Sequence, residues 1–62
     1  MNITDTLRDF LATRPAVSVS GLALDSGVYR TTIYRCLNGE RIKPESERRL
    51  RETMRKYGYE AP

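Results

Sequence analysis

Turn-forming residues divide this chain into short segments, and this division limits the fold more than any other feature of the sequence. Pro15, Gly27, Gly39 and Gly58 interrupt the 62 residues at short intervals. Within each segment, apolar residues recur at spacings of three and four, the pattern of an α-helix with one buried face. We therefore predict an all-α fold, a single domain over residues 1–62 that forms a small bundle of about four helices. The predicted helices lie at about residues 3–13, 19–26, 30–38 and 45–57.

The third predicted helix has a flank that differs from an ordinary solvent-exposed face. Its polar residues share an arc of about 140°, and none of them is an acid. These polar residues are Arg30, Thr31, Tyr34, Arg35 and Asn38. The opposite side carries Ile33, Cys36 and Leu37. We expect the apolar side to face the core and the acid-free flank to face outward.

Ala23, Gly27 and Ile33 have the spacing of a helix-turn-helix, in which two helices cross closely around a short turn. This motif needs a small residue where the helices touch, a glycine in the turn, and a branched apolar residue that fills the junction. The remaining buried positions of the motif are also apolar: Leu22, Val28 and Leu37. The spacing predicts that the helix at 30–38 is the one that enters the major groove of DNA.

Positive charge is concentrated in the second half of the chain, although the net charge is only +3. Residues 1–27 carry two arginines and three aspartates, a net of −1, whereas residues 28–56 carry nine basic and four acidic residues, a net of +5. A surface of one sign attracts a polyanion: DNA or RNA first, an anionic membrane or an acidic protein second.

Several classes of site lack the residues they need. The chain has no histidine and one cysteine, Cys36, so common zinc ligand sets and Ser-His or Cys-His dyads are excluded. We predict no enzyme activity, no cofactor or metal and no small-molecule ligand, and we expect Cys36 to be a small buried side chain. No apolar run has the length of a membrane span, and Met1–Asp5 lacks the features of a signal peptide. We therefore expect a protein of the bacterial cytoplasm or nucleoid, with no membrane partner.

The segment Ser18–Gly39 resembles the helix-turn-helix of the lambda-repressor-like superfamily, which includes the phage repressor and Cro proteins. Its amino-acid sequence is most similar to the DNA-binding headpiece of the lac-repressor family. The run GVYRTTIYRCLNG at residues 27–39 looks like that family's AGVSxxTVSRVLNG. Pro44–Arg49 and the later Gly58-Tyr59 look like its SPETRERV…LGY.

Two features depart from the lac-type pattern. Ile3–Thr13 adds a helix in front of the motif, as in the phage repressors. Tyr29 and Lys43 stand where the family has serines, so the third and fourth helices lose a side-chain acceptor at their N-termini.

The resemblance implies a sequence-specific double-stranded DNA-binding transcriptional regulator, a small phage-type or bacterial repressor. It makes Arg30 and Thr31 the first base-reading pair and places Arg35 on a base one turn further on. Tyr34 lies between the two arginines on the same flank, and we include it among the base-reading residues. Arginine suits this role because it can hold guanine O6 and N7 with two parallel hydrogen bonds.

A second set of residues is predicted to hold the DNA backbone. The resemblance assigns Thr32 and Asn38 to phosphates, and a loop that follows a recognition helix lies beside the backbone. The predicted phosphate-contacting residues are Tyr29, Thr32, Asn38, Arg41 and Lys43.

The basic residues of the fourth predicted helix have a structural explanation instead. Acids precede bases at i, i+4 spacing, the favourable order for ion pairs on a helix. The predicted pairs are Glu45–Arg49, Glu47–Arg51 and Glu52–Lys56. Arg48 and Arg55 are left weakly compensated, which makes them weaker candidates for phosphate contact.

Two alternative functions remain open. The same fold can serve as a protein-interaction adaptor of the antitoxin or anti-repressor type, or as the DNA-reading domain of a longer ligand-controlled regulator. Because a lone module of this size buries little surface on DNA, we predict a homodimer on a palindromic operator. Leu24 points away from the predicted core side of the second helix. It is either exposed, packed on the first helix, or a dimer contact with Tyr59 or Val17.

Overall fold

The computed structural model of the protein describes residues 1–60, which form four α-helices joined by turns and short loops. The helices are α1 (Ile3–Thr13), α2 (Val19–Ser26), α3 (Arg30–Leu37) and α4 (Pro44–Lys56). The prediction of a small all-α bundle is confirmed. Among the described residues, no helix combines the length and the apolar character that crossing a bilayer requires.

The helix bounds agree with the predicted ones to within one residue. α1 and α2 have the predicted bounds, whereas α3 ends one residue early and α4 begins and ends one residue early. Asn38 and Tyr57 are C-caps rather than helical residues, with ψ near zero at 3° and 4°. Their amides still bond to carbonyls of the preceding turn, so periodicity alone includes them in the helix.

The first two helices begin at side-chain caps and the last two do not. The Asn2 side chain accepts a hydrogen bond from the Asp5 amide at 2.8 Å, and Ser18 Oγ accepts one from the Gly21 amide at 2.9 Å. Within the described residues, Tyr29 and Lys43 make no such bond, as the sequence predicted. α3 and α4 therefore depend on tertiary contacts more than α1 and α2 do.

The turn between α2 and α3 depends on Gly27. This residue has φ of 72° in the left-handed region, and its amide donates to the Ala23 carbonyl at 2.9 Å. Val28 follows at once and is buried, with its amide bonded to Ser26 Oγ at 3.2 Å. The chain thus reverses tightly, which brings α3 against α2 in the predicted helix-turn-helix arrangement.

All four helices contribute to one apolar core. α3 packs on α1 and α2, and α4 packs on the same two helices. The buried apolar side chains are Leu7, Phe10, Leu22, Val28, Ile33, Cys36, Leu50, Met54 and Tyr59. Of the three predicted inward residues of α3, Ile33 and Cys36 are fully buried. The third, Leu37, is only half-buried against the core, because it lies at the last position of the helix.

Tyr59 anchors the chain after α4 to α1. Its ring meets Phe10 edge-on at 5.3 Å, and its hydroxyl donates to Asp9 at 2.6 Å. The Arg14 guanidinium lies 5.1 Å from the centre of the Tyr59 ring. The hydrogen bond to Asp9 raises the pKa of Tyr59 above its ordinary value. The suggestion that Tyr59 meets Leu24 in a dimer is therefore wrong, because Tyr59 is buried in the core of its own chain.

The ion pairs on α4 correct part of the predicted pattern. Glu45–Arg49 and Glu47–Arg51 form as predicted, each at 3.0 Å. Arg48 is not weakly compensated: it contacts Glu45 at 2.6 Å and Glu52 at 2.9 Å. Since Glu52 reaches back to Arg48, the predicted pair with Lys56 does not form within the described residues. The contact between Arg48 and Glu45 has i, i+3 spacing, so a prediction from i, i+4 pairs alone does not include it.

Candidate nucleic-acid interface

α3 divides its side chains between the core and solvent. Ile33 and Cys36 are fully buried, whereas Arg30, Thr31 and Arg35 on the opposite side are exposed. Tyr34 lies among these exposed residues with 53% of its surface accessible. Neither α1 nor any other described segment covers this flank, which stands at the surface as the sequence predicted.

The nine side chains predicted to meet DNA have one property in common. Within residues 1–60, none of them makes a side-chain hydrogen bond or an ion pair with the rest of the protein. Eight are exposed and Thr32 is half-buried. The nine are Tyr29, Arg30, Thr31, Thr32, Tyr34, Arg35, Asn38, Arg41 and Lys43. Their donors and acceptors are all available to a partner.

Basic side chains elsewhere in the protein are mostly used for internal contacts. On α4, Arg48, Arg49 and Arg51 pair with glutamates of the same helix. Arg8 bonds to a backbone carbonyl, and Arg14 lies over two aromatic rings. Six of the eleven basic residues make no side-chain contact of these kinds within the described range, and four of the six lie on α3 or in the loop that follows it. The six are Arg30, Arg35, Arg41, Lys43, Arg55 and Lys56.

The loop between α3 and α4 directs its two basic residues outward. Amides of Asn38, Gly39 and Glu40 donate back to carbonyls of α3, so the loop leaves the helix in a tight turn. Ile42 is half-buried against the core, while Arg41 and Lys43 on either side of it are exposed. This alternation leaves both cations exposed in the loop that follows α3.

Two residues of α1 hold the C-terminal end of α3, and no motif or periodic pattern of the sequence indicates either of them. Arg8 donates from Nε and Nη2 to the Leu37 carbonyl at 3.1 and 2.6 Å. Thr4 Oγ1 donates to the Cys36 carbonyl at 2.8 Å. Contacts between residues this far apart in the chain leave no periodic signal, and the spacing of Thr4 and Arg8 on one face of α1 is the only trace of them.

Cys36 lies at the base of this contact and is buried, as predicted. Burial raises the pKa of the Cys36 thiol, and a hydrogen bond with the Thr4 hydroxyl acts in the opposite direction. A buried thiol with a raised pKa is a poor nucleophile at neutral pH, so Cys36 acts as a packing residue.

Leu24 and Tyr29 are the most exposed large apolar side chains, at 85% and 83%. They line a shallow groove along the outside of the α2–α3 turn, with Ala23 and Val28 at its base. Of the alternatives predicted for Leu24, the structure of the single chain shows plain exposure of the side chain to solvent.

A comparison of the chain with protein-family models, with curated proteins and with solved structures finds no significant match.

Proposed function

We propose that this chain is a sequence-specific double-stranded DNA-binding transcriptional regulator, a small phage-type or bacterial repressor, with α3 as its recognition helix. The observation that carries the proposal is the exposed flank of α3. It has two arginines and no acid, and within residues 1–60 none of its polar side chains makes a side-chain hydrogen bond or an ion pair. An α-helix fits the major groove of B-DNA, which is about 12 Å wide.

Base reading falls to the residues at the centre of this flank. Arg30 and Arg35 each offer paired donors to guanine O6 and N7, and Thr31 offers a methyl to thymine or a hydroxyl to several bases. Tyr34, between the two arginines, contributes its ring or its hydroxyl. Each good bidentate contact discriminates against a wrong base by about 1 to 3 kcal/mol.

Backbone contacts fall to the residues at the two ends of α3. Arg41 and Lys43 neutralise phosphates beside the C-terminal end, where both are exposed and unpaired within residues 1–60. Tyr29, Thr32 and Asn38 supply neutral hydrogen bonds to phosphate oxygens. These contacts set the register of the helix in the groove and carry no base preference of their own.

An eight-residue recognition helix reads few base pairs, which favours a homodimer on a palindromic operator. Its half-sites would be about 34 Å apart, one turn of DNA. Exposed Leu24 is available as a contact between copies. Band shifts on duplexes with altered half-site spacing check this part: equal affinity at every spacing contradicts a dimer.

The division between base and phosphate contacts gives the main test. Arg35→Ala should cost about 1 to 3 kcal/mol on a preferred duplex and relax the base preference, while the fold is unchanged. Lys43→Ala should weaken all duplexes alike and reduce the slope of log affinity against log salt by about 1 per chain. Lys56→Ala is the matched control, because Lys56 is exposed, makes no ion pair in the described range and lies on α4.

The outcomes separate the proposal from a protein-interaction adaptor. A preferred duplex is selected from a random library with the unaltered chain, and binding is followed by fluorescence anisotropy over a range of salt. Equal losses of preference from Arg35→Ala and Lys43→Ala contradict the division of roles. If no duplex binds with the linear salt dependence of counterion release, DNA is not the partner.

A further inference from the structure

α3 has few stabilising features of its own. It has eight residues and, within residues 1–60, no side-chain cap at Tyr29 and an outward flank without side-chain hydrogen bonds or ion pairs. Short helices are marginal in water, so a helix of this length keeps its shape through contacts with its neighbours. The position of its last turn therefore depends on the buried Cys36 side chain and on the partners of the carbonyl groups at that end.

The last four carbonyls of α3 have different partners. Those of Tyr34, Arg35 and Cys36 accept hydrogen bonds from amides of the loop that follows. The Leu37 carbonyl accepts only from Arg8 within the described residues, through two nitrogens at 3.1 and 2.6 Å. Arg8 also places a positive charge at the negative end of the α3 dipole, where a cation is favourable.

Thr4 makes a second contact from the same face of α1, one helical turn before Arg8. Its hydroxyl donates to the Cys36 carbonyl at 2.8 Å. α1 thus reaches the carbonyl groups of the two final residues of α3. These bonds add to the loop amides and the buried Cys36 side chain at this end of α3, and Arg30 and Arg35 stay exposed.

We propose that Arg8 is a positioning residue for base reading: it fixes the C-terminal turn of α3 so that Arg35 meets the base edges at the correct angle. The inference rests on the proposed DNA-binding function. It also gives the added first helix a role in recognition, although α1 presents no side chain on the flank itself.

The test is Arg8→Met, which keeps a long side chain and removes both donors and the charge. Without DNA, the amides of Asn38, Gly39 and Glu40 should exchange with deuterium about fivefold faster or more, while amides of Leu50 and Met54 stay as slow as before. With DNA, the ratio of affinities for the selected and a scrambled duplex should fall about five- to tenfold, the lower part of the loss expected for one bidentate base contact.

Two further variants separate positioning from loss of stability or charge. Arg8→Lys keeps the charge and one donor, and it should recover part of the affinity ratio. Lys56→Met removes one exposed charge far along the chain, and it should leave both the exchange rates and the ratio unchanged. A purely structural role for Arg8 would lower both affinities together, because the unfolded fraction binds neither duplex, and the ratio would stay constant.

Each outcome decides one question. If the unaltered chain binds duplex DNA and Arg8→Met keeps the ratio, the positioning role is overturned and the proposed function stands. Unchanged exchange at Asn38–Glu40 overturns it equally. If the unaltered chain binds no duplex, the proposed function fails and the base-reading role fails with it, whatever the exchange rates show.

Discussion

The turn at Gly27 gives the sharpest prediction about the helix-turn-helix, because its backbone geometry sets the cost of a substitution. Gly27 has φ of 72°, and a side chain in the left-handed region costs about 1 to 2 kcal/mol. Alanine also restricts the unfolded chain, which returns about 0.4 to 1 kcal/mol. A Cβ at this position would lie 3.4 Å from Arg49 Nη1, an ordinary contact with the end of a flexible side chain. Gly27→Ala should therefore lower the free energy of unfolding by about 1 kcal/mol.

Thermal unfolding followed by circular dichroism measures this loss. For a domain of this size, about 1 kcal/mol lowers the midpoint by roughly 4 to 8 °C. Gly39→Ala is the matched control. The φ of Gly39 is 89°, and no described atom outside its chain neighbours lies within 4 Å of the added Cβ, so the variant should lose a similar amount through backbone strain alone. Gly27→Asn should be milder, since asparagine tolerates this region. An alanine at Gly27 that leaves the midpoint unchanged or raises it would refute the left-handed turn.

Two further predictions concern polar groups at the edge of the core. The Thr6 hydroxyl is buried and has no hydrogen-bond partner in residues 1–60. Thr6→Val should therefore raise the free energy of unfolding, measured by urea denaturation, by about 1 kcal/mol. A lower free energy of unfolding would mean that the hydroxyl has a hydrogen-bond partner. Tyr59 donates to Asp9, which raises its pKa in the folded state, so its contribution is present below about pH 10 and is lost as the pH rises through the raised value. Tyr59→Phe should therefore flatten the alkaline fall of the unfolding midpoint, and an equally steep fall contradicts this.

The sequence carries most of the information needed for the fold, because that information is local. Helices end within two residues before Pro15, Gly27 and Gly58, and the spacing of apolar residues identifies the inward face of each helix. The outward flank of α3 follows from the same reasoning, since Ile33 and Cys36 fix which side faces the core. Such signals depend on neighbours within a turn or two and survive without knowledge of the tertiary structure.

The features that the sequence did not predict arise from tertiary contacts or from competition between partners. Arg8 meets a carbonyl of α3, and no spacing rule pairs residues so far apart. Tyr59 was a candidate for a dimer surface because a residue after the last helix has no periodic pattern to classify it. Arg48 had two acids within reach, and only the structure shows that it contacts both.

The division of α3 into a buried and an exposed side separates the stability of the domain from its proposed recognition. The buried side chains of Ile33 and Cys36 hold the helix on the core, while the residues of the flank make no side-chain hydrogen bonds or ion pairs in the described range. Surface substitutions of this kind usually change stability by about 0.5 kcal/mol or less. Thr31 and Arg35 can therefore be exchanged for other residues at little cost to folding. Substitutions that change the proposed base preference at these positions are thus compatible with the same bundle, provided that Arg8 continues to hold the last turn.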